Sequence, residues 1–488
     1  MPDGSQMILL AILFPVVSAL LLSFIPERSD HLRNPMAFFI SLVTAVTVIF
    51  IFFAVNDGEF PALSVITIAP GLELAFKVDP LSALFGIIAS VLWVFAVVYS
   101  TGYMAHEHKR RRYFVFYMLS LGITIGIAFS ANLFTLYLFY EFLTICTYPL
   151  VIHEQNEEAQ AAGVKYLVYS FGGAGIILIG MVMTYYNAGT LDFVQGGIVN
   201  LTAETTFMWQ VVFFCFVIGF GVKAAIMPLH SWLPSAMAAP TPVSALLHAV
   251  AVVKSGVFCL LRVMYSVYGV ETLQTLGVGV LLAVIVSITI LVASMIAMRQ
   301  DVLKKRLAYS TISQLGYITL GGALLTTMGL TGGLLHMVNH ALLKITLFFC
   351  AGAIITVTGK KRISELKGLG KRMPLTMLAF TIGAVGMIGI LPINGFISKW
   401  HLIMGAYQME FYFVIAVLVG SAMLNAAYFC PIIIAAFFQK GDFEPVKGPE
   451  AHLAMLIPIL VLAVVCIVFG FKLDIYLPVI ENVVNYLM

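Results

Sequence analysis

The sequence predicts an all-α polytopic membrane protein of about fourteen transmembrane helices, and three observations carry that prediction. Of 488 residues, 61% are hydrophobic and 10% charged, where an ordinary soluble domain has about 25% charged. Apolar stretches of roughly 20 residues, the length that crosses ~30 Å of hydrocarbon, recur along the whole chain. The basic residues gather in every second loop, as a chain that threads back and forth through a bilayer requires.

Segments 1 to 3 are expected at about 6–25, 34–55 and 78–104 and form an N-terminal three-helix unit, 1–104. The leading "MPDGSQ" has an acid and no base, so it lacks the positive region of a cleaved signal peptide and segment 1 is expected to remain. Segments 4 to 8, at about 112–130, 131–152, 161–187, 207–229 and 241–265, make a second unit, 112–265. Segments 9 to 13, at about 272–298, 303–325, 329–358, 374–406 and 411–438, make a third, 272–438. Segment 14, about 451–472, opens the C-terminal part, 451–488.

Two of these segments read as broken helices. Segment 7 runs into "AAIMPLHSWLPSAMAAPTPVSALLH", which holds Pro228, Pro234, Pro240 and Pro242. Segment 12 is too long for one straight helix and contains Pro392 and Gly395. A proline removes a backbone donor and frees a carbonyl, which a membrane tolerates only where protein or water receives it. The breaks lie five segments apart, and five is odd. Segments 4–8 and 9–13 are therefore expected to be inverted five-helix repeats, the arrangement in which transporters place interrupted helices at matching positions.

Eighteen of the 26 Lys and Arg residues lie in loops that follow odd-numbered segments, which places those loops in the cytoplasm and both termini outside. The net charge of +3 is a consequence of topology, and nothing in the sequence points to nucleic acid. All six cysteines fall in expected spans with no CxxC pair, and no nucleotide-binding loop follows a strand. No redox cofactor, iron–sulfur cluster, zinc or nucleotide is expected in this chain.

The remaining charges carry the functional signal. Lys77, Arg262 and Lys472 sit near span ends, where a long side chain reaches the interface. Lys165, Lys223, Lys254, Lys344 and Lys399 fall within spans, where each costs at least ~3 kcal/mol on insertion scales. Lys165, four residues into segment 6, fits snorkelling as well as function. Lys254 and Lys344 are mid-span. Glu141 opens "EFLTICTYPL" amid apolar neighbours, and a buried carboxylate wants a cation. In "LLHMVNHALLKITLFF", His336, His340 and Lys344 are spaced four apart and so share one helical stripe about 12 Å long. With His248 they read as a proton path, because histidine titrates near neutral pH. His230, alone at a span end, reads as a hydrogen-bonded core residue.

The order Glu141, "GVKAAIMPLHSWLPSAMAAPTPVSALLH", "HMVNHALLKITLFFCAGAI" and "LPINGFISKW" resembles the antiporter-like subunits. These are the proton-pumping chains L, M and N of respiratory complex I, the D and A subunits of Mrp cation/proton antiporters, and their membrane-bound hydrogenase relatives. The likeness covers roughly segments 4 to 13. It implies that Glu141 and Lys223 form the pair whose making and breaking drives transport, with Lys165 tuning it. It implies that His248 and Lys254 bridge the two halves, that His336, His340 and Lys344 connect onward, and that Lys399 serves the far side. It also implies a multi-subunit complex in a prokaryotic plasma membrane that moves protons, or sodium against protons. Lys at 399 and the second His of "HMVNHALLK" lean toward the Mrp D-like and hydrogenase-associated types.

Two other classes compete. A stand-alone secondary transporter of a small solute would need a pocket of mixed polar residues. A structural scaffold would leave five buried lysines without a purpose. An oxidoreductase activity would belong to partner subunits.

Overall fold

Every long apolar run in the sequence is helical in the computed structural model, because a backbone in hydrocarbon must satisfy its own N–H and C=O groups. The structure describes residues 4–441, 443–444 and 448–488. Residues 1–3 and Lys447, on which the expected orientation draws, lie outside the described residues. Segments 1 to 7 correspond to α1 (Gly4–Leu22), α2 (Asp30–Asn56), α3 (Pro80–Tyr103), α4 (Arg110–Ala128), α5 (Leu133–Val151), α6 (Glu157–Ala188) and α7 (Thr206–Lys223). Then come α8 (Thr241–Tyr268), α9 (Val278–Arg299), α10 (Leu303–Ala323) and α11 (Thr327–Thr358). Segment 12 is two helices, α12 (Pro374–Ile388) and α13 (Gly395–Gln408), followed by α14 (Tyr412–Phe438), α15 (Leu453–Phe471) and a short terminal α16 (Leu477–Leu487).

Among the described residues, 11 helices are long and apolar enough to cross a membrane. α4 and α10 fall outside that set because Arg110–Arg112 and Lys304–Arg306 crowd their first turns. α12 is only 15 residues long. The chain is a polytopic, helical membrane protein.

One small element outside the helices was not expected. β1 (Ala62–Ala69) and β2 (Leu72–Lys77) form an antiparallel hairpin between α2 and α3. Gly71 turns it at φ +72°, and a Cβ there would stand 2.5 Å from the Gly189 carbonyl. The hairpin is tied to the α4–α5 turn, where Asn132 Nδ2 donates to the Glu73 carbonyl at 2.9 Å. Both chain ends lie at this end of the bundle. Gly4 packs on Pro61, and Asn482 of α16 hydrogen-bonds Asn56 at 3.3 Å.

The interior is organised around α11 and α8. α11 touches α3, α8, α10, α12, α13, α15 and α16. α8 is buried along its whole apolar window, and it contains a π-helical turn at Leu246–Val250 that includes His248. The break after α7 is packed directly on α8. A Cβ at Gly256 would meet the Ala224 nitrogen at 2.3 Å and the Lys223 carbonyl carbon at 2.6 Å. Only glycine lets α8 approach the broken end of α7 so closely.

Arg262 does not reach the interface as expected. It is 1% exposed and grips Asp79, the N-cap of α3, in a bidentate pair at 2.5 and 2.8 Å, with Ser82 Oγ accepting a further bond at 2.8 Å. No local pattern in the sequence signals this pair, because the partner is 183 residues away. Removing one member strands a buried charge, so Asp79→Ala should destabilise the fold by about 3–5 kcal/mol. A paired apolar replacement, Asp79→Leu with Arg262→Met, should cost much less, as thermal unfolding in detergent would show.

At the opposite end, the α3–α4 and α5–α6 loops are clasped by two histidines. His153 Nε2 lies 3.0 Å from the His108 carbonyl, and Arg112 donates to the His153 carbonyl at 2.8 Å. Burial first, then the Arg112 and His108 charges, push the His153 imidazole down to about 4. A depressed pKa gives stability that is present above the ordinary value near 6.5 and lost as pH falls through 4. The unfolding temperature should therefore drop between pH 6.5 and 4, and His153→Gln should flatten that slope.

Candidate functional site

The buried lysines are held by neutral acceptors. Lys223, the last residue of α7, is fully buried. Its Nζ donates to the Tyr140 carbonyl at 2.5 Å and lies 3.4 Å from the centroid of that residue's ring. Glu141 is the next residue on α5, and its Oε1 is buried without a hydrogen-bond partner. The expected Glu141–Lys223 contact is therefore not made in this arrangement; the ammonium rests one residue short of the carboxylate. Lys165 is half-buried on α6 and donates to Ser235 Oγ at 3.3 Å, on the turn that follows the break.

Lys254 of α8 points across to the second half. Its Nζ is 2.9 Å from His340 Nδ1 on α11, with both residues fully buried. His336 lies one turn from His340, with ring centroids 6.0 Å apart. Its Nδ1 meets Ser398 Oγ at 2.9 Å, and its ring stacks on Tyr317 at 5.1 Å. Lys399 follows Ser398 on α13. Its Nζ donates to the Met387 and Ile388 carbonyls at 2.7 and 2.9 Å. Those are the last carbonyls of α12, freed by the break and carrying the negative end of that helix's dipole. Gly389 follows at φ +92°, where a Cβ would stand 2.9 Å from the Lys399 side chain.

Lys344 runs the other way along α11. It donates to the Leu307 carbonyl of α10 at 3.1 Å and lies 5.7 Å from the Phe429 ring. The His336–His340–Lys344 stripe is thus joined to Lys254 at its middle, with His336 leading to Lys399 and Lys344 leading away. The His248 ring lies tilted against Phe348 with centroids 4.9 Å apart, and neither ring nitrogen has a partner.

Sequence reasoning missed several polar residues on this route. Asn339 and Asn394 exchange hydrogen bonds at 2.8 and 2.9 Å and pin the broken segment to α11. Gln314 of α10 is fully buried with neither side-chain polar atom partnered. An amide in the apolar run "STISQLGY" was a readable signal, since intramembrane polar groups are rare without a function.

The sequence matches two family profiles. The one described as "NADH:quinone oxidoreductase/Mrp antiporter, TM" covers residues 130–425, and "NADH-Ubiquinone oxidoreductase (complex I), chain 5 N-terminus" covers 67–114. The chain belongs to this antiporter-like family. Among family members, NADH-quinone oxidoreductase subunit N of Desulforudis audaxviator is 33% identical over 85% of this chain and 84% of its own length. A Na(+)/H(+) antiporter subunit of Alkalihalophilus pseudofirmus is 33% identical over 82% of this chain, which spans about half (53%) of that longer relative. In the archaeal membrane-bound sulfane sulfur reductase complex, one chain is 27% identical and superposes with a TM-score of 0.90 over 99% of this chain and 98% of its own length. A chain of the Mrp complex from Dietzia, 24% identical, shares the fold at 0.90 over 100% of this chain and 98% of its own.

Placed in this family, the junction geometry makes a graded expectation. His340→Ala removes the acceptor of Lys254, and Lys344→Met removes a side branch. Ion transport by the assembled complex should fall at least tenfold for the first and less for the second.

Proposed function

We propose that this chain is the ion-translocating subunit of a multi-subunit membrane complex and moves protons, or sodium against protons, along its buried lysines and histidines. The observation that carries this reading is the buried group Lys254, His340 and His336, which joins the two halves of the bundle, with buried Lys223 at the break after α7 and buried Lys399 at the break between α12 and α13. The same reading takes the chain to have fourteen spans, with inverted repeats in 112–265 and 272–438 flanked by units 1–104 and 451–488. Each repeat has a break beside a lysine, after Lys223 and before Lys399. The basic loops orient the α3–α4, α5–α6, α9–α10 and α11–α12 turns to the cytoplasm and the hairpin with both termini to the outside of a prokaryotic plasma membrane.

In the mechanism, Lys223 keeps its proton while paired with Glu141, and a charge change in a neighbouring chain of the complex moves it to the Tyr140 carbonyl, a neutral acceptor on which the ammonium can give its proton up. The released proton passes toward Lys254 and across to His340, then by His336 to Lys399. Lys165 on the Ser235 turn tunes the first step, while His248 and Lys344 exchange protons with the junction from the side. Lys399 and the paired histidines favour the Mrp D-like and hydrogenase-associated types within the family.

Purification from native membranes in mild detergent, with mass spectrometry of the co-purifying chains, separates the two couplings. Redox subunits would make this the pumping arm of an electron-transfer machine; small antiporter subunits on their own would make it a cation/proton exchanger. Glu141→Ala should leave the complex assembled and abolish coupled transport. Undiminished transport in that variant would sink the pairing mechanism.

A further inference from the structure

We propose that a polar cavity at the basic-loop end of the bundle is the port through which protons exchange between the cytoplasm and α8, with Lys304 as the relay at its floor. This rests on the transport reading above and adds the side and the residues of exchange.

The cavity has a volume of about 500 Å³. Its walls come from the loops that follow α3, α5, α7, α9 and α11, which the alternation of spans puts on one side of the membrane and of which three carry basic residues. Glu107, Glu154 and Glu158 face Lys305, Lys361 and Arg362 around it. The ligand oxygens of Glu107 and Glu154, with a ring nitrogen of His108, lie within 4.8 Å of one another. Burial first, then the charge of Glu154, hold the Glu107 carboxyl above the ordinary carboxylate range. Two carboxylates this close favour sharing one proton over carrying two charges.

Tyr103, Thr241 and Lys304 also line it, the first two of them buried. Lys304 is half-buried in the first turn of α10, and its Nζ donates to the Ala239 carbonyl at 2.6 Å, in the turn that leads into α8. That neutral backbone acceptor is the kind that holds Lys223, Lys344 and Lys399. Thr241 is the first residue of α8. His248 lies seven residues on, about 10 Å along the axis, and Lys254 about 9 Å beyond that. His248, with both ring nitrogens unpartnered and its backbone in a π-helical turn, is the one titratable side chain of α8 between the cavity and Lys254.

The step balances as a proton transfer. Hydronium at the mouth protonates the Glu107–Glu154 pair and leaves water. The carboxylic acid passes that proton to a neutral Lys304 amine and returns to carboxylate. The resulting ammonium gives it to the His248 imidazole and returns to amine.

The test uses the assembled complex in vesicles, with a pH-sensitive dye reporting proton movement, and three substitutions at Lys304. Lys304→Met should lower transport at least tenfold. Lys304→His, which can take and give a proton, should restore a third or more of wild type. Lys304→Arg, which keeps the charge and the bond to Ala239 but holds its proton, should stay as inactive as Lys304→Met. Wild-type transport in the arginine variant would make Lys304 a structural cation and overturn the proposal, as would full activity of Lys304→Met.

Glu141→Ala run in parallel separates this from the broader reading. If it abolishes transport while Lys304→Met does not, only the port is wrong. Should the Lys304 variants fail to assemble, Glu107→Gln with Glu154→Gln decides. The cytoplasmic-side pH of half-maximal transport should move by about one unit; an unmoved midpoint would overturn the proposal.

Discussion

The bundle depends on how it holds positive charge where there is little negative charge to meet it. Lys223, Lys344 and Lys399 are each held by backbone carbonyls, and Lys254 by an imidazole. A lysine on a neutral acceptor can lose its proton without stranding a buried anion. A lysine locked on a carboxylate cannot, because the partner would be left charged in low dielectric. The deeply buried ion pair, Asp79–Arg262, uses the one side chain that never gives up its proton. Fixed charge ties the fold together, and movable charge is kept on weak holds.

The helix breaks follow from the same constraint. An intact helix offers a carbonyl only by sharing it, as α5 does at Tyr140 and α10 at Leu307, whereas a broken helix frees its last carbonyls. Ending α12 at Ile388 exposes the two carbonyls that receive Lys399, and Asn339 holds the broken segment against α11 through Asn394. Ending α7 at Lys223 places the lysine at the helix end that faces α8, and Gly256 lets the two backbones meet. The prolines and glycines near both lysines position carbonyls as well as bending the chain.

This explains what the sequence disclosed and what it withheld. Intramembrane lysines and prolines are conspicuous against an apolar background, so the candidate residues and both broken segments were legible from composition and spacing. Their partners were not, since Lys254 and His340 are 86 residues apart and Lys344 meets a carbonyl, which any residue supplies. The resemblance paired Glu141 with Lys223, while the lysine's hydrogen bond in the structure goes to the carbonyl of the adjacent residue, Tyr140, an acceptor that no side-chain pattern announces. The hairpin at Ala62–Lys77 hid because it is short and lies between two long apolar runs. Its signal was the β-branched "VITI" before a Pro-Gly turn.

The bond between Lys254 and His340 sets a rule for the whole path. At 2.9 Å the two nitrogens can share one proton. If each carried its own, two cations at that distance would repel by about 6 kcal/mol even at an effective dielectric of 20. On the proposed proton path, the junction between the halves therefore passes protons singly. A second proton arriving from the α7 side has to wait until the first has moved on to His336 or toward Lys344. In that proposed mechanism the stripe on α11 gives one junction two outlets, which let it clear in either direction along the helix, so the occupancy of one side controls what the other can accept. Coupling between the two halves needs no large motion, only a pair of bases too close to be charged together.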